Sequence, residues 1–330
     1  MAEPCHVLIS SAGRRVALLR YFREAIAQLG LAGHVYASDI TAMAAAFQEA
    51  DDRFLVPHCT DEAFIPAMLE LCRRRAIRLV VPTIDTELPV YAAHRHDFAA
   101  IGTTVAIGGP ETIAIGRDKA RTHQWLTEQD LPRVAQALPE QVLREPAAWR
   151  FPLYAKPVAG SASKGIRLVQ NVDELAAATG EGEFIVQEVA AGQEYTLDAF
   201  MDAEGMCRCI VPRKRIEVRG GEVSKGQTVR LETIEQLGFT ACAHLPDARG
   251  AINIQLFHDP DTGRCAIIEI NPRFGGGYPL SHVAGARFTH WLLEEVTTGH
   301  CTAGHKTWRD GLVMLRYDDA VFVDAGEVRR

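Results

Sequence analysis

The chain has 330 residues, of which 47% are hydrophobic and 23% charged, a composition typical of a folded globular protein and not of a disordered one. It carries 35 basic and 42 acidic residues, a net charge of −7, without a long basic run, so we expect no nucleic acid as a ligand. We expect no secretory signal and no membrane partner, because no basic region precedes an apolar segment and no stretch is long enough to span a bilayer.

The first third of the sequence alternates between strand and helix patterns, which predicts a parallel sheet of the α/β class. Its first loop contains only Gly13, so the Gly-x-Gly-x-x-Gly pattern of dinucleotide-binding folds is missing, and we exclude a nicotinamide enzyme. The predicted strands are 6–10, 34–38, 79–82 and 104–107, and the predicted helices are 16–29, 64–75 and 88–98.

Two acidic residues, Asp85 and Glu87, follow the third predicted strand of this region. Ligands of open α/β sheets collect at the carboxyl ends of the strands, so both side chains are candidates for contact with a substrate. Capping of the next helix is an equally good interpretation.

The pattern continues beyond residue 111 with a mixture of helices and strands. The predicted helices are 120–129, 229–244 and 288–298, and the predicted strands are 153–156, 165–169, 184–189, 210–218, 251–257, 266–270 and 311–317.

A run of small residues follows Lys156 at the end of a predicted strand. Such a run lets backbone N–H groups close around phosphate oxygens while the lysine reaches them from the strand, although a surface hairpin without a ligand is the alternative. The Walker pattern is absent, and a strand rather than a helix follows. The loop residues that we expect to contact phosphate are Gly160, Ser161, Ala162 and Ser163.

The predicted strand 184–189 leads through a short turn into a further strand that contains Glu194. Extended backbone at Glu188 and Val189 offers the alternating N–H and C=O groups that bind an adenine edge. The carboxylates of Glu188 and Glu194 could accept from amino and ribose hydroxyl groups.

Three basic residues, Arg213, Arg215 and Lys225, lie on or near the next predicted strand. Arg213 and Arg215 share one face because strand side chains alternate. We expect this cluster, and Arg215 as a catalytic residue, to hold a carboxylate or a phosphate of the acceptor substrate, while a solvated hairpin is the alternative.

The strand before residue 272 contains a carboxylate, Glu269, within an apolar run, and a buried carboxylate needs a partner or a cation. Asn271 and Arg273 share its face, and a turn at residues 259–263 predicts a hairpin that brings Gln255 near Glu269. Oxygen ligands beside a fixed cation suit magnesium and phosphate. A salt bridge between Glu269 and Arg273 is the alternative.

The order of these motifs resembles the ATP-grasp superfamily and, within it, the carbamoyl-phosphate-synthase-like branch. The resemblance implies a pre-ATP-grasp α/β domain at 1–112 and an ATP-grasp fold of two α+β subdomains at 113–186 and 187–330. It also implies that Lys119 contacts phosphate and that Gln255, Glu269 and Asn271 hold Mg²⁺ on ATP, with Mn²⁺ as a second acceptable ion. Many ATP-grasp ligases have an acid where this chain has Gln255, a change that this branch tolerates.

The activity implied by the resemblance is that of a carboxylate–amine ligase that forms an acyl phosphate from Mg-ATP and releases ADP and phosphate. Arg273, Lys156 and Arg215 are the expected catalytic residues, and the substrates are expected to be amino acids or a similar small acid and amine. A phosphotransferase that forms carbamoyl phosphate or another acyl phosphate is one alternative, and a non-catalytic ATP-binding regulatory subunit is another.

The eight cysteines contain no Cys-x-x-Cys pair, which favours reduced thiols and a cytoplasmic location and argues against structural zinc. A homodimer is one possible assembly of the chain.

Overall fold

The computed structural model describes residues 4–158, 165–179 and 183–328. Within these ranges the chain forms one parallel sheet followed by two antiparallel sheets. None of the described helices has the length and hydrophobicity that a membrane span requires.

The N-terminal sheet is parallel, as the alternating pattern predicts, and its strand order is β3-β2-β1-β4-β5. Its strands are His6–Ser10 (β1), Val35–Asp39 (β2), Arg53–Leu55 (β3), Ile77–Pro82 (β4) and Thr104–Val105 (β5). Its helices are Val16–Gln28 (α1), Ala45–Glu49 (α2), Phe64–Arg75 (α3), Leu88–Ala93 (α4) and Arg95–Ala99 (α5).

The helix expected over 88–98 is two helices, because His94 has φ −108° and ψ 11° and so leaves the helical region. Strand β5 is shorter than the predicted 104–107. Elements α2 and β3 were not predicted, since five and three residues are too few to show a periodic pattern.

The middle part of the chain forms a small antiparallel sheet in the order β6-β9-β7-β8. Its strands are Gln136–Ala137 (β6), Leu153–Pro157 (β7), Arg167–Val169 (β8) and Phe184–Glu188 (β9). The helices of this part are Pro110–Arg117 (α6), Lys119–Glu128 (α7), Pro139–Arg144 (α8) and Val172–Ala178 (α9).

The last part forms the large sheet, whose six antiparallel strands have the order β14-β13-β10-β11-β12-β15. The strands are Gln193–Met201 (β10), Cys207–Arg219 (β11), Glu222–Thr228 (β12), Gly250–His258 (β13), Cys265–Asn271 (β14) and Val313–Leu315 (β15). The helices are Glu232–His244 (α10), Tyr278–Ala284 (α11) and Phe288–Thr298 (α12). Helix α10 begins later than the predicted residue 229, because the Val229 N–H still bonds the Pro212 carbonyl of the sheet.

One hydrophobic core joins the N-terminal sheet to the large sheet. It contains Phe22 of α1 together with Phe274, Phe288 and Trp291, and all four side chains are buried. The rings of Phe22 and Phe274 meet edge to face at 6.4 Å. This shared core places the carboxyl ends of the parallel strands opposite one face of the large sheet.

Glu87 binds the carboxyl ends of β1 and β4 together and is not available to a substrate. Its carboxylate is fully buried and accepts from the hydroxyls of Ser10 and Ser11 at 2.7 and 2.8 Å. It also accepts from the backbone N–H groups of Thr83 at 2.6 Å and Ile84 at 3.2 Å. Burial raises the pKa of Glu87 despite these four hydrogen bonds. The interpretation of Glu87 as a substrate-side acid is therefore wrong.

Glu87→Ala is expected to lower the thermal midpoint by about 5 °C or more, because four donors lose a buried acceptor. Differential scanning calorimetry measures the shift. Glu62→Ala, at an exposed position before α3, is the control. Equal midpoints for the two variants would contradict the structural role of Glu87.

Candidate functional site

A cavity of about 430 Å³ lies between the carboxyl edge of the N-terminal sheet and one face of the large sheet. It has the size of a small-molecule site. Seven sequence-predicted residues line it: Asp85, Arg213, Arg215, Gln255, Glu269, Asn271 and Arg273. The other lining residues include Arg15, Thr83, Ile84, Thr86, Arg117, Thr196, Glu222, Asn253 and Gly275–Gly277.

The register of the large sheet aligns the polar residues of the cavity in a row. Directly opposed residues of antiparallel strands share a face of the sheet. Glu269 on β14 is opposite Gln255, Gln255 is opposite Thr196, and Thr196 is opposite Arg213. This row confirms the predicted hairpin and runs from the expected metal ligands to the arginine strand.

Glu269, on β14, lines the cavity. Among the described residues its carboxylate makes neither a hydrogen bond nor an ion pair, although it raises the pKa of the nearby Lys156 against the effect of burial. The alternative of a Glu269–Arg273 salt bridge is wrong, because Arg273 binds Asp85 instead. A carboxylate that faces a polar cavity in this state is available to a cation.

Arg273 and Asp85 form a bidentate ion pair between the two sheets. Arg273 Nε and Nη2 donate to the two carboxylate oxygens of Asp85 at 2.7 and 2.8 Å. Burial opposes the charge of Arg273, but the hydrogen bonds and the attraction of Asp85 raise its pKa overall. Asp85 therefore lies at the cavity, as the sequence predicts, but it contacts Arg273 rather than an open space.

Lys156 lies at the end of β7 beside this row. Its ammonium donates to Gln187 Oε1 at 2.6 Å and lies 5.4 Å from the ring of Tyr154. Burial lowers its pKa, with Glu269 acting in the opposite direction and Lys119 in the same one. Lys119 lines a smaller adjoining cavity together with Glu269 and Asn271.

The residues expected to bind adenine and ribose do not line the cavity. Glu188 and Val189 are at the carboxyl end of β9, and 44% of Val189 is exposed. Glu194 lies 3.2 Å from Arg215, and burial raises its pKa while Arg215 lowers it. The loop residues Gly160, Ser161, Ala162 and Ser163 lie outside the described residues.

The basic residues of β11 and β12 lie on opposite faces of the large sheet. Arg213 and Arg215 line the cavity from one face, as the alternation of strand side chains predicts. Lys225 is exposed, donates to Glu217 at 2.6 Å and is not a lining residue. The expectation that Lys225 contributes to this cluster is therefore wrong, because its side chain points to the opposite, solvent-facing side of β12.

The sequence interpretation missed three charged lining residues, namely Arg15, Arg117 and Glu222. Arg15 Nη1 lies 3.7 Å from Glu222 Oε1 and so connects the first loop of the N-terminal sheet to the β11–β12 hairpin. The strand-turn-helix pattern at Arg15 was a weak signal for an anion site. Arg117 gave no signal beyond its neighbour Lys119.

The glycine turn, Gly275–Gly277, allows three polar side chains to approach the backbone. A Cβ on Gly275 would lie 2.6 Å from Asn253 Nδ2, and one on Gly276 would lie 2.6 Å from the carboxyl carbon of Glu222. A Cβ on Gly277 would lie 2.2 Å from Arg213 Nη1. A side chain at any of the three positions would force these polar groups to shift away from the backbone.

The side chains of Glu269, Gln255 and Asn271 fit magnesium better than other protein metals. Within the described ranges there is no group of three His, Cys, Asp or Glu side chains that could hold a metal on its own. One carboxylate, Glu269, with the amide oxygens of Gln255 and Asn271 matches the habit of Mg²⁺, which takes its remaining ligands from substrate phosphates and water.

Comparisons with known protein families divide the chain into two matched regions. The PylC-like N-terminal domain family matches residues 7–106, and the ATP-grasp domain family matches residues 117–277. Together the two regions cover most of the chain.

Two curated relatives are carbamoyl phosphate synthase large chains. The one from Campylobacter jejuni is 21% identical over 261 residues, which are 70% of this chain and 24% of the relative. The one from Ralstonia nicotianae is 23% identical over 257 residues, 66% of this chain and 24% of the relative. The matched region thus spans about a quarter of the length of these relatives.

Two solved structures share the fold. The biotin carboxylase domain of Hydrogenobacter thermophilus 2-oxoglutarate carboxylase, a dimer in complex with MgADP, ADP and bicarbonate, has a TM-score of 0.72 at 18% identity and covers 93% of this chain and 73% of its own. An ADP complex of N5-carboxyaminoimidazole ribonucleotide synthetase has a TM-score of 0.74 at 16% identity, with 96% and 82% covered. The chain thus carries a PylC-like N-terminal domain at residues 7–106, followed by an ATP-grasp domain at residues 117–277.

Proposed function

We propose that this protein is an ATP-dependent carboxylate–amine ligase that activates a small acid as an acyl phosphate. The observation that carries the proposal is the row in which Glu269, unpaired among described residues, lies beside Gln255 and Asn271 and near the fixed cation Arg273. The substrates belong to the class of amino acids or similar small acids and amines.

The reaction has two steps. A carboxylate oxygen of the acid attacks the γ-phosphorus of ATP, the bond from that phosphorus to the β-phosphate oxygen breaks, and ADP leaves. The amine then attacks the carbonyl carbon, and phosphate leaves with the oxygen that the carboxylate gave up. The described lining residues include no serine, cysteine or histidine, which agrees with a reaction that needs no covalent intermediate on the protein.

Each residue of the site has a role in this scheme. Glu269, Gln255 and Asn271 would hold magnesium, which when bound offsets negative charge on the phosphate oxygens. Lys156 and Lys119 contact the phosphates from β7 and α7. Arg273, held by Asp85, and Arg215 orient the acid and the phosphoryl group, because small errors of position strongly slow such transfers.

The nucleotide-binding residues complete the proposal. Glu188 and Val189 would bind adenine through their backbone, Glu194 the ribose, and Gly160 to Ser163 the phosphates. We further propose a cytoplasmic location, which the eight cysteines without a disulfide support.

An acyl phosphate as the released product is the second candidate, and the names of the carbamoyl phosphate synthase relatives favour it. ADP release measured with Mg-ATP against a panel of acids, with and without amines, separates the candidates. The ligase requires both substrates for full turnover, whereas the phosphotransferase requires only the acid. Binding of ATP without turnover on any pair would overturn both proposals and support a regulatory subunit.

Glu269→Gln is expected to lower magnesium-dependent ADP release by about 100-fold or more, because the amide keeps the shape but removes the charge that attracts the ion. Glu217→Gln, on the exposed side of the β11–β12 hairpin, is the matched control, and circular dichroism checks the fold of both. A Glu269→Gln rate close to that of the control would refute the metal assignment.

Arg215→Lys is expected to reduce turnover by about 100-fold with nearly unchanged ATP affinity, because lysine keeps the charge but loses the planar fork that orients a carboxylate. Steady-state ADP release and calorimetry with ATP measure the two quantities. If neither the rate nor the KM for the acid changes, Arg215 serves only Glu194 and the acid is held elsewhere.

A further inference from the structure

The buried guanidinium of Arg213 is held rigidly beside the glycine turn. Its Nε and Nη2 donate to Asp198 at 2.7 and 2.9 Å, and the side chain is 1% exposed. Asn253 Nδ2 and Ser281 Oγ also donate to Asp198, at 2.7 and 2.5 Å. Four hydrogen bonds therefore saturate Asp198 and fix the orientation of Arg213.

One nitrogen of this guanidinium has no partner. Arg213 Nη1 is buried and makes no hydrogen bond with the residues that the structure describes, although Arg213 lines the cavity. A buried cationic donor without an acceptor is costly and is normally satisfied by a ligand or water. Arg213 Nη1 is thus a fixed hydrogen-bond donor at the glycine-turn end of the cavity.

Arg15 is a second cation at the same end. Its partner Glu222 lies against Gly276, directly beside the Gly277 that Arg213 Nη1 contacts. Glu222 must serve three arginines, because Arg14 lies 3.3 Å from it and Arg316 donates to it at 3.1 Å. Glu222 is thus shared among three guanidinium groups, of which only that of Arg15 lines the cavity.

The acids of the described lining leave no carboxylate for a substrate ammonium at this end. Asp85 is bound by Arg273, Glu222 is shared among arginines, and Glu269 lies in the row proposed for magnesium. The phosphates of ATP have Lys119 and Lys156 at the other end. Arg15 therefore shares its one carboxylate with other arginines, and Arg213 keeps a donor, Nη1, that Asp198 does not bind.

We propose that the acid substrate is a dicarboxylic acid whose second carboxylate is bound by Arg213 Nη1 and Arg15 at the glycine turn. The first carboxylate then lies toward Glu269 and Arg273, where it is activated. This inference rests on the proposed ligase function and specifies its substrate class. Arg213 and Arg15 are specificity-determining residues in this arrangement.

The first test measures binding rather than turnover. Calorimetry in the presence of ADP and magnesium compares succinate, glutarate and adipate with butyrate, pentanoate and hexanoate of matched length. We expect at least one dicarboxylate to bind about 10- to 100-fold more tightly than its monocarboxylate, the usual effect of a charge-assisted pair. Equal affinities across all three pairs would overturn the proposal.

The second test uses the adjacent arginines of the first loop. Arg15→Met should reduce the preference for the dicarboxylate about tenfold, and Arg15→Lys should restore part of it. Arg14→Met is the matched control, since Arg14 also pairs with Glu222 but is 72% exposed and does not line the cavity. Equal loss in Arg14→Met and Arg15→Met would contradict direct binding by Arg15.

Arg213 is tested indirectly, because its replacement would leave Asp198 buried without its partner. Gly277→Ala places a methyl group against Arg213 Nη1 and should lower the dicarboxylate preference while calorimetry with ATP shows unchanged nucleotide affinity. An unchanged preference in a folded Gly277→Ala protein would count against Arg213.

The two proposals fail separately. A preference for binding dicarboxylates without any ADP release would support the dicarboxylate site and refute the ligase. Turnover of monocarboxylic and dicarboxylic acids at equal efficiency would support the ligase and refute the dicarboxylate site.

Discussion

The ion pair between Asp85 and Arg273 is the interaction on which the geometry of the site depends. It joins the carboxyl edge of the parallel sheet to the end of β14 through two hydrogen bonds, with 17% and 14% of the side chains exposed. Because Asp85 binds Arg273, Glu269 four residues earlier has no arginine partner among described residues and is left for a cation. Removal of one member of this partly buried pair would leave the other charge without its partner beside the cavity.

Positive charge is distributed along the cavity in a way that separates two tasks. Lys119 and Lys156 lie at the end that we propose for the ATP phosphates, and Arg15 and Arg213 lie at the glycine turn. The row from Glu269 to Arg213 connects these ends across four adjacent strands. A single sheet face can therefore align a nucleotide, a metal and an acid without a mobile catalytic nucleophile.

Local patterns were enough to predict the parallel N-terminal sheet and the β13–β14 hairpin, because alternation and turn residues are properties of short segments. They were not enough for Arg213, which donates to Asp198, 15 residues earlier in the chain. Asn253 and Ser281 also donate to Asp198, and they lie 40 and 68 residues from Arg213, so the group comes together only in the folded structure. Glu87 and Asp85 are two residues apart and equally acidic, yet one binds backbone and hydroxyl donors inside the sheet edge and the other binds Arg273. The different roles of Asp85 and Glu87 depend on neighbours in the folded structure, which a local sequence motif does not predict.

The transfer of oxygen from the acid to phosphate tests the central claim most directly. An acid labelled with oxygen-18 in its carboxylates, selected as one that supports amine-dependent ADP release, is converted with Mg-ATP, and the released phosphate is analysed by mass spectrometry. Activation as an acyl phosphate predicts one labelled oxygen in each phosphate, because the carboxylate oxygen that attacks the γ-phosphorus leaves with it. If the released phosphate carried no label, its new oxygen would have come from water. The acid would then never have bonded to phosphorus, which would contradict the account.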